Sequence, residues 1–355
     1  MTTIVAFAVL LFVLVLIHEA GHALLARLFK CRVEEFGFGF PPRLTHTRVG
    51  ETVFSLNALP VGGFVRLTGE DGEHLEDPRS FARQSRPRRA AILLGGVLCN
   101  LLFAVIAFSV VAGLGIDIPA GASDAAGTHP QVRVIAFQNP SPALRASGLA
   151  VRDVLRAVNG SPVMSASAAS ALVRDATGRE LAFQVRRGRA EHLVTLRFDQ
   201  PKLPGERIGL VLLDVVTQKT PWAQAPRAGI RRTVETVNLT VRGLGRLARG
   251  LLVDHTLSDD LTGPVGIATL AGTVAQQGMI PLLDLGAILS VNLALINVLP
   301  IPALDGGRLL FLVLESLGVR HARGRPERLA HSIGFVVLLI LLLFVTLSDI
   351  RKLVY

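Results

Sequence analysis

Apolar residues gather in four long runs, Ile4–Leu28, Ala90–Leu114, Leu282–Leu299 and Ile333–Leu347, separated by polar and glycine-rich stretches. A helix rises about 1.5 Å per residue and must cross roughly 30 Å of hydrocarbon, so the runs predict four transmembrane helices, the last two short. Between the first two runs the pattern changes. Phe36-Gly37-Phe38-Gly39-Phe40-Pro41-Pro42 and the stretch Val53–Leu67 are apolar, glycine-rich and β-prone without helical period, and predict strands dipping toward the membrane. Such backbone survives at membrane depth only when shielded by protein or lining a cavity, and an open edge there would pair with an extended peptide. A small cytoplasmic hairpin without a binding role is the competing reading.

Beyond Gly121 the pattern becomes that of a water-exposed domain. Ser141–Leu149 and Asp153–Gly160 precede a helix over Ser165–Asp175 and alternating strands at Ala182–Arg186 and His192–Phe198. From Arg227 to Leu251, Ile230, Val234, Val237, Val241, Leu244, Ala248 and Leu251 share one helical stripe, flanked by Arg227, Arg231, Arg242, Arg246 and Arg249. A basic amphipathic helix of this kind lies in the membrane interface or packs its stripe against the preceding domain.

Half of the residues are hydrophobic and the mean hydropathy is +0.49, which places the chain in the polytopic membrane class. The net charge of +10 comes from arginines spread over loops that flank the spans, with no aromatic interleaving, so nucleic acid is not an expected partner and the lipid bilayer is. Positive charge clusters between the first two runs (Arg27 to Arg89) and between the last two (Arg308, Arg320, Arg323, Arg325, Arg328). The positive-inside rule puts both loops in the cytoplasm, and the termini and Gly115–Pro281 outside it. No Lys or Arg precedes the first run and no small-residue cleavage site ends it, so the first run is expected to stay in the mature protein. Cys31 and Cys99 suit neither a disulfide framework nor a cysteine zinc site.

The chemistry concentrates at His18-Glu19-Ala20-Gly21-His22, an H-E-x-x-H pattern late in the first run. On a helix the two imidazoles lie one turn apart on one face, able to share a divalent ion, with Glu19 beside them as general base. Three ionisable groups in hydrocarbon cost a few kcal/mol each unless paired or metal-bound, which weighs against chance. A catalytic zinc needs a third protein ligand and an open position. Asp305 supplies a carboxylate just past the helix end broken by Pro300 and Pro302; Asp284, Glu315 and Asp349 are chemical rivals near span boundaries. Gly95, Gly96 and Asn100 in the second run are accounted for by helix packing, the amide wanting a partner.

These motifs, with Leu59–Glu70, Gly263-Pro264-Val265-Gly266-Ile267 and the N-x-x-P-x-P-x-L-D-G run Asn297–Gly306, occur in one order, and the chain resembles the bacterial site-2 proteases over nearly its whole length. The segment Gly127–Asp199 is similar to a PDZ domain, although Arg152 stands where the common pattern has glycine, and Val97 stands where the family's second span has proline. The resemblance implies a polytopic α-helical membrane protein of four transmembrane helices, with a membrane-associated β-loop and an inserted α+β PDZ domain. The expected domains are membrane core (1–126), PDZ domain (127–200), linker with the interfacial helix (201–262) and membrane core (263–355). It implies Zn²⁺ on His18, His22 and Asp305, Glu19 as general base, and cleavage within the transmembrane helix of a single-pass protein, such as an anti-sigma factor, in the bacterial inner membrane. Substrate contacts are expected from Asn297, Gly62, Gly63, Phe64, Asn292 and Pro302, with packing equally open for Asn292. Two other readings remain: a catalytically silent, zinc-stapled receptor for exported peptides, and a metal-ion transporter, against which stands the absence of an inverted repeat of broken spans.

Overall fold

The computed structural model describes residues 2–70, 76–120, 130–138, 141–188, 190–250, 253, 263–318 and 325–354. Parts of the sequence reading at 121–129, Leu251, Arg320 and Arg323 lie outside the described residues. The chain divides into two compact units, one of residues 1–110, 223–272 and 283–355, the other of 111–222 and 273–282.

In the first unit, helix α1 (Thr2–Leu28) turns into two long strands, β1 (Val33–Val49) and β2 (Thr52–Leu67), followed by α2 (Arg86–Leu114). Strand β2 matches the predicted stretch to within one residue, whereas β1 outruns its own, because the polar segment Arg43–Val49 pairs with the first half of β2 (Arg43↔Asn57, Val49↔Thr52). The first half of β1 is used twice, Phe36 standing beside both Phe54 and Val65, so the ribbon folds back on itself as a small sheet. Buried Glu35 stitches it, accepting from Ser55 Oγ at 2.6 Å and pairing with Arg43 at 2.7 Å and Arg66 at 3.3 Å.

The later helices of this unit are α5 (Ala225–Arg249), α6 (Pro264–Gln276), α7 (Met279–Val298), α8 (Asp305–Ser316) and α9 (Arg325–Val354), numbered with α3 and α4 of the other unit between. Among the described residues four helices are long and apolar enough to cross a membrane: Thr3–Leu28, Arg86–Leu114, Met279–Val298 and Pro326–Arg351. All four predicted spans fall on them. The second and fourth helices extend past the apolar runs because apolarity marks what lipid touches, while the backbone ladder continues into charged ends such as Arg86–Arg89. Helix α8 is an element the sequence reading lacked. On α5 the apolar stripe residues Ile230, Val234 and Val241 are exposed, as a face in the membrane interface would be, while Ala225, Gly229 and Thr233 are the buried positions. Small residues allow the closer approach, and a Cβ on Gly229 would stand 2.6 Å from the Val105 carbonyl of α2.

The second unit is a sheet in the order β3-β9-β4-β5-β7-β8, with β6 beside β5. Its strands are β3 (Ile116–Pro119), β4 (Gln131–Phe137), β5 (Val154–Val158), β6 (Ser161–Pro162), β7 (Gly178–Arg187), β8 (Ala190–Lys202) and β9 (Leu210–Gln218), with helices α3 (Pro142–Ala146) and α4 (Ala166–Asp175). Alternation places Leu181, Phe183 and Val185 of β7 and Val194 and Leu196 of β8 inward, where they meet Val134, Leu155 and Val158 in the core. Ser165 caps α4 by accepting from the Ala168 amide at 3.1 Å. Residues 210–218, expected as linker, form β9 between β3 and β4. Arg152 takes φ +75, the left-handed conformation that glycine would supply at that turn, and its guanidinium donates to the Gln277 carbonyl at 2.8 Å.

Candidate metal centre

The α-helical period of α1 brings His18 and His22 onto one face, and the short loop that ends α7 delivers Asp305 as the first residue of α8. Their donor atoms converge. His18 Nε2 stands 3.0 Å from Asp305 Oδ2, His22 Nε2 stands 3.3 Å from the same oxygen, and the two Nε2 atoms are 3.3 Å apart. A tetrahedral ion with ligands at about 2.0–2.2 Å holds them roughly 3.3–3.6 Å from one another, so the triangle is close to the spacing that a His₂Asp zinc site requires. This is the one group of three or more His, Cys, Asp or Glu among the described residues that offers such convergence.

The far ring nitrogens are also engaged. His22 Nδ1 lies 2.9 Å from the Ile92 carbonyl, which can only accept, so the proton sits on Nδ1 and Nε2 presents its lone pair. His18 Nδ1 lies 3.2 Å from the side-chain amide of Asn100, fully buried on α2. As placed, it is the amide nitrogen Nδ2 that faces this ring, and the amide oxygen has no partner among the described residues; exchanging the two about the Cβ–Cγ bond would set the oxygen on Nδ1 as acceptor of its proton and leave Nε2 bare for an ion.

Glycines make this approach physical. A Cβ on Gly21 would stand 2.2 Å from the Gly95 carbonyl oxygen, and one on Gly96 would stand 2.6 Å from both His18 Cε1 and His22 Nε2. Helix α2 therefore lies flush on the H-E-x-x-H face. On the other side of the loop, a Cβ on Gly306 would strike the Val298 and Leu299 carbonyls at 2.2 Å.

Around this triangle, Asn297 Nδ2 lies 3.3 Å from His18 Nε2. Gly63 of β2 packs on α1, where a Cβ would meet Glu19 Cγ at 3.2 Å and Val15 at 2.9 Å. Gly62 has φ +82, and the ring of Phe64 covers Gly37. Two expected substrate contacts are engaged in packing: Asn292 Oδ1 accepts from Thr240 at 2.7 Å, and the Pro302 carbonyl lies against Gly334. The rival carboxylates are committed elsewhere, Asp284 to Arg232 at 2.8 Å, Glu315 to Arg89 at 3.0 Å, and Asp349 to the Gly263 and Gly266 amides at the start of α6. Glu70, after β2, pairs with Arg308 on α8.

Residues 6–341 match peptidase family M50. The chain belongs to this family, the site-2 proteases, whose members are zinc-dependent metalloendopeptidases. It is 30% identical to the zinc metalloprotease RasP of Geobacillus kaustophilus, over 99% of this chain and 98% of the relative. Putative zinc metalloproteases of Clostridium acetobutylicum (29%, covering 98% and 97%) and Agrobacterium fabrum (28%, covering 99% and 96%) match end to end as well. With its four long apolar helices, this M50 peptidase is a multi-pass membrane protein.

What sequence reasoning missed is the packing around the donor triangle. Gly96 and Asn100 were legible as a small, polar patch on α2, but nothing local says that the patch faces two imidazoles.

Proposed function

We propose that this M50 peptidase hydrolyses a peptide bond within the transmembrane helix of a single-pass membrane protein. His18, His22 and Asp305 hold the zinc ion, and the observation that carries the reading is their donor triangle beside Glu19. When bound there, zinc supplies Lewis acidity, bringing the pKa of water toward ~7 and polarising a carbonyl. Glu19 takes the proton from the attacking water and delivers it to the leaving nitrogen. The Asn297 amide, next to His18 Nε2, donates to substrate backbone that must leave its helix to be cut, and Gly62-Gly63-Phe64 of β2 receive the extended segment.

The second unit is a PDZ domain in this reading. A cavity of about 560 Å³ between α4 and β9 is lined by Ser170, Val173, Leu210 and Leu212, and β3 covers β9 only from Val215 to Gln218. Among the described residues the first half of β9 thus has no strand on that side, and in this reading it takes an incoming strand there. The arginine bias supports a bacterial inner-membrane location with the metal centre toward the cytoplasm and the PDZ domain outside, and α5 along the interface.

The test is co-expression of wild type and Glu19→Gln with a panel of single-pass membrane proteins, with zinc content measured on both purified proteins. Fragments cut inside the span by the wild type alone, at equal zinc content, support the reading. Identical fragment patterns sink it, and zinc removal that lowers stability without any proteolysis to lose would favour the receptor instead.

A further inference from the structure

Asp305 is only as well placed as the short loop that carries it, residues 299–304. That loop contains Ala303 at φ +81, a left-handed conformation unusual for any residue with a Cβ, so it needs something outside itself to hold it. Two contacts from α9 fall on it. His331 Nδ1 accepts the Ala303 N–H at 2.9 Å, and one turn later Gly334 lies so close that a Cβ would stand 2.5 Å from the Pro302 carbonyl oxygen. The imidazole is braced by Phe311 of α8, with ring centroids 5.8 Å apart. Because a backbone amide can only donate, Nδ1 is the bare nitrogen and Nε2 carries the hydrogen. Nε2 is buried with no partner among the described residues, so the ring's known hydrogen bonding is the single bond to Ala303.

We propose that His331 is a positioning residue for the metal centre: its Nδ1 holds the left-handed turn at Ala303 and thereby aims the Asp305 carboxylate at His18 and His22. No motif of the H-E-x-x-H or L-D-G kind points to it, since it lies in the last span, 28 residues after the amide it holds. A lone histidine in an apolar helix is expensive unless it serves a partner, and here the partner is a backbone amide that no aliphatic side chain could satisfy. The inference rests on Asp305 being a zinc ligand.

The test measures zinc affinity of the full-length purified protein, by competition with a chromophoric chelator, together with its melting temperature. In wild type, His331→Leu should weaken zinc binding about 10-fold, the scale for groups that orient a ligand. His331→Asn, whose Oδ1 is as many bonds from Cα as Nδ1, should restore it, and His331→Gln, one bond longer, should not. In an Asp305→Ala background His331→Leu should cost nothing further, because its effect runs through that carboxylate. Equal losses in both backgrounds, no loss with His331→Leu, or a folded His331→Asn that stays weak would each overturn the proposal. Should the leucine variant not fold, the asparagine and glutamine pair decides it. If Asp305→Ala alone binds zinc as tightly as wild type, the ligand assignment fails, and that outcome is distinct from a tight-binding His331→Leu beside a weak Asp305→Ala.

Discussion

In the β-rich unit Phe183, Leu155, Leu181 and Leu196 are sealed inside, whereas in the helical unit Leu24, Leu98 and Leu102 stand exposed and His18, His22, Asn100 and Ser290 are buried. Water surrounds the first kind of surface and lipid the second. Where water is the solvent, burial of apolar area drives the fold; where lipid is, leucine gains nothing by turning inward, and close backbone approach and polar pairs decide the packing. The glycine contacts Gly21–Gly95 and Gly229–Val105, the Ser290 hydroxyl on the Asn100 carbonyl at 2.9 Å and the Arg232–Asp284 pair are the helical unit's counterparts of a leucine core. The reactive groups sit in the unit whose interior combines small apolar clusters, such as that around Phe108 and Val291, with buried polar groups that have partners.

The contrast can be broken deliberately. The largest expected effect is on chemistry alone: Glu19→Gln should lower cleavage by at least about 10²-fold with zinc content and melting of both units unchanged, read by a fluorogenic membrane-spanning substrate and metal analysis. Next, Phe183→Ala should destabilise the β-rich unit by about 3–5 kcal/mol, since that ring is wholly buried in an apolar core, and limited proteolysis should then cut within 111–222 while zinc stays bound. Gly96→Ala removes no apolar area but places a methyl on both imidazoles, and zinc affinity should fall about 10- to 100-fold with little change in melting temperature. The smallest effect is a negative one. Burial, with the Asp77 charge in second place, pushes the Cys31 thiol up to about 11, so the Cys99→Ser protein should resist alkylation at pH 8 until denatured.

The three residues of the donor triangle were legible as candidates because their chemistry is local: an H-E-x-x-H turn on one helix face, and a carboxylate beside two helix-breaking prolines. The four spans were legible from apolar length. Helix α8 was not, since Asp305-Gly306-Gly307 reads as loop; the glycines are there because the Val298, Leu299 and Ile301 carbonyls leave no room for a side chain. Strand β9 was missed because Leu210–Val216 is nearly continuous in apolar residues and lacks the alternation that marks a strand with one wet face. The role of His331 was hidden for a different reason, as its partner is a main-chain amide and leaves no trace in residue identity.

The closest pair in the centre, His18 and Asp305, is separated by 287 positions along the chain. During synthesis the N-terminal helix therefore enters the bilayer long before its acidic counterpart has been translated, and the helix that steadies that counterpart emerges later still. A half-made polypeptide therefore carries the two imidazoles without the carboxylate that closes the donor triangle, and the centre is complete only once α8 has been made.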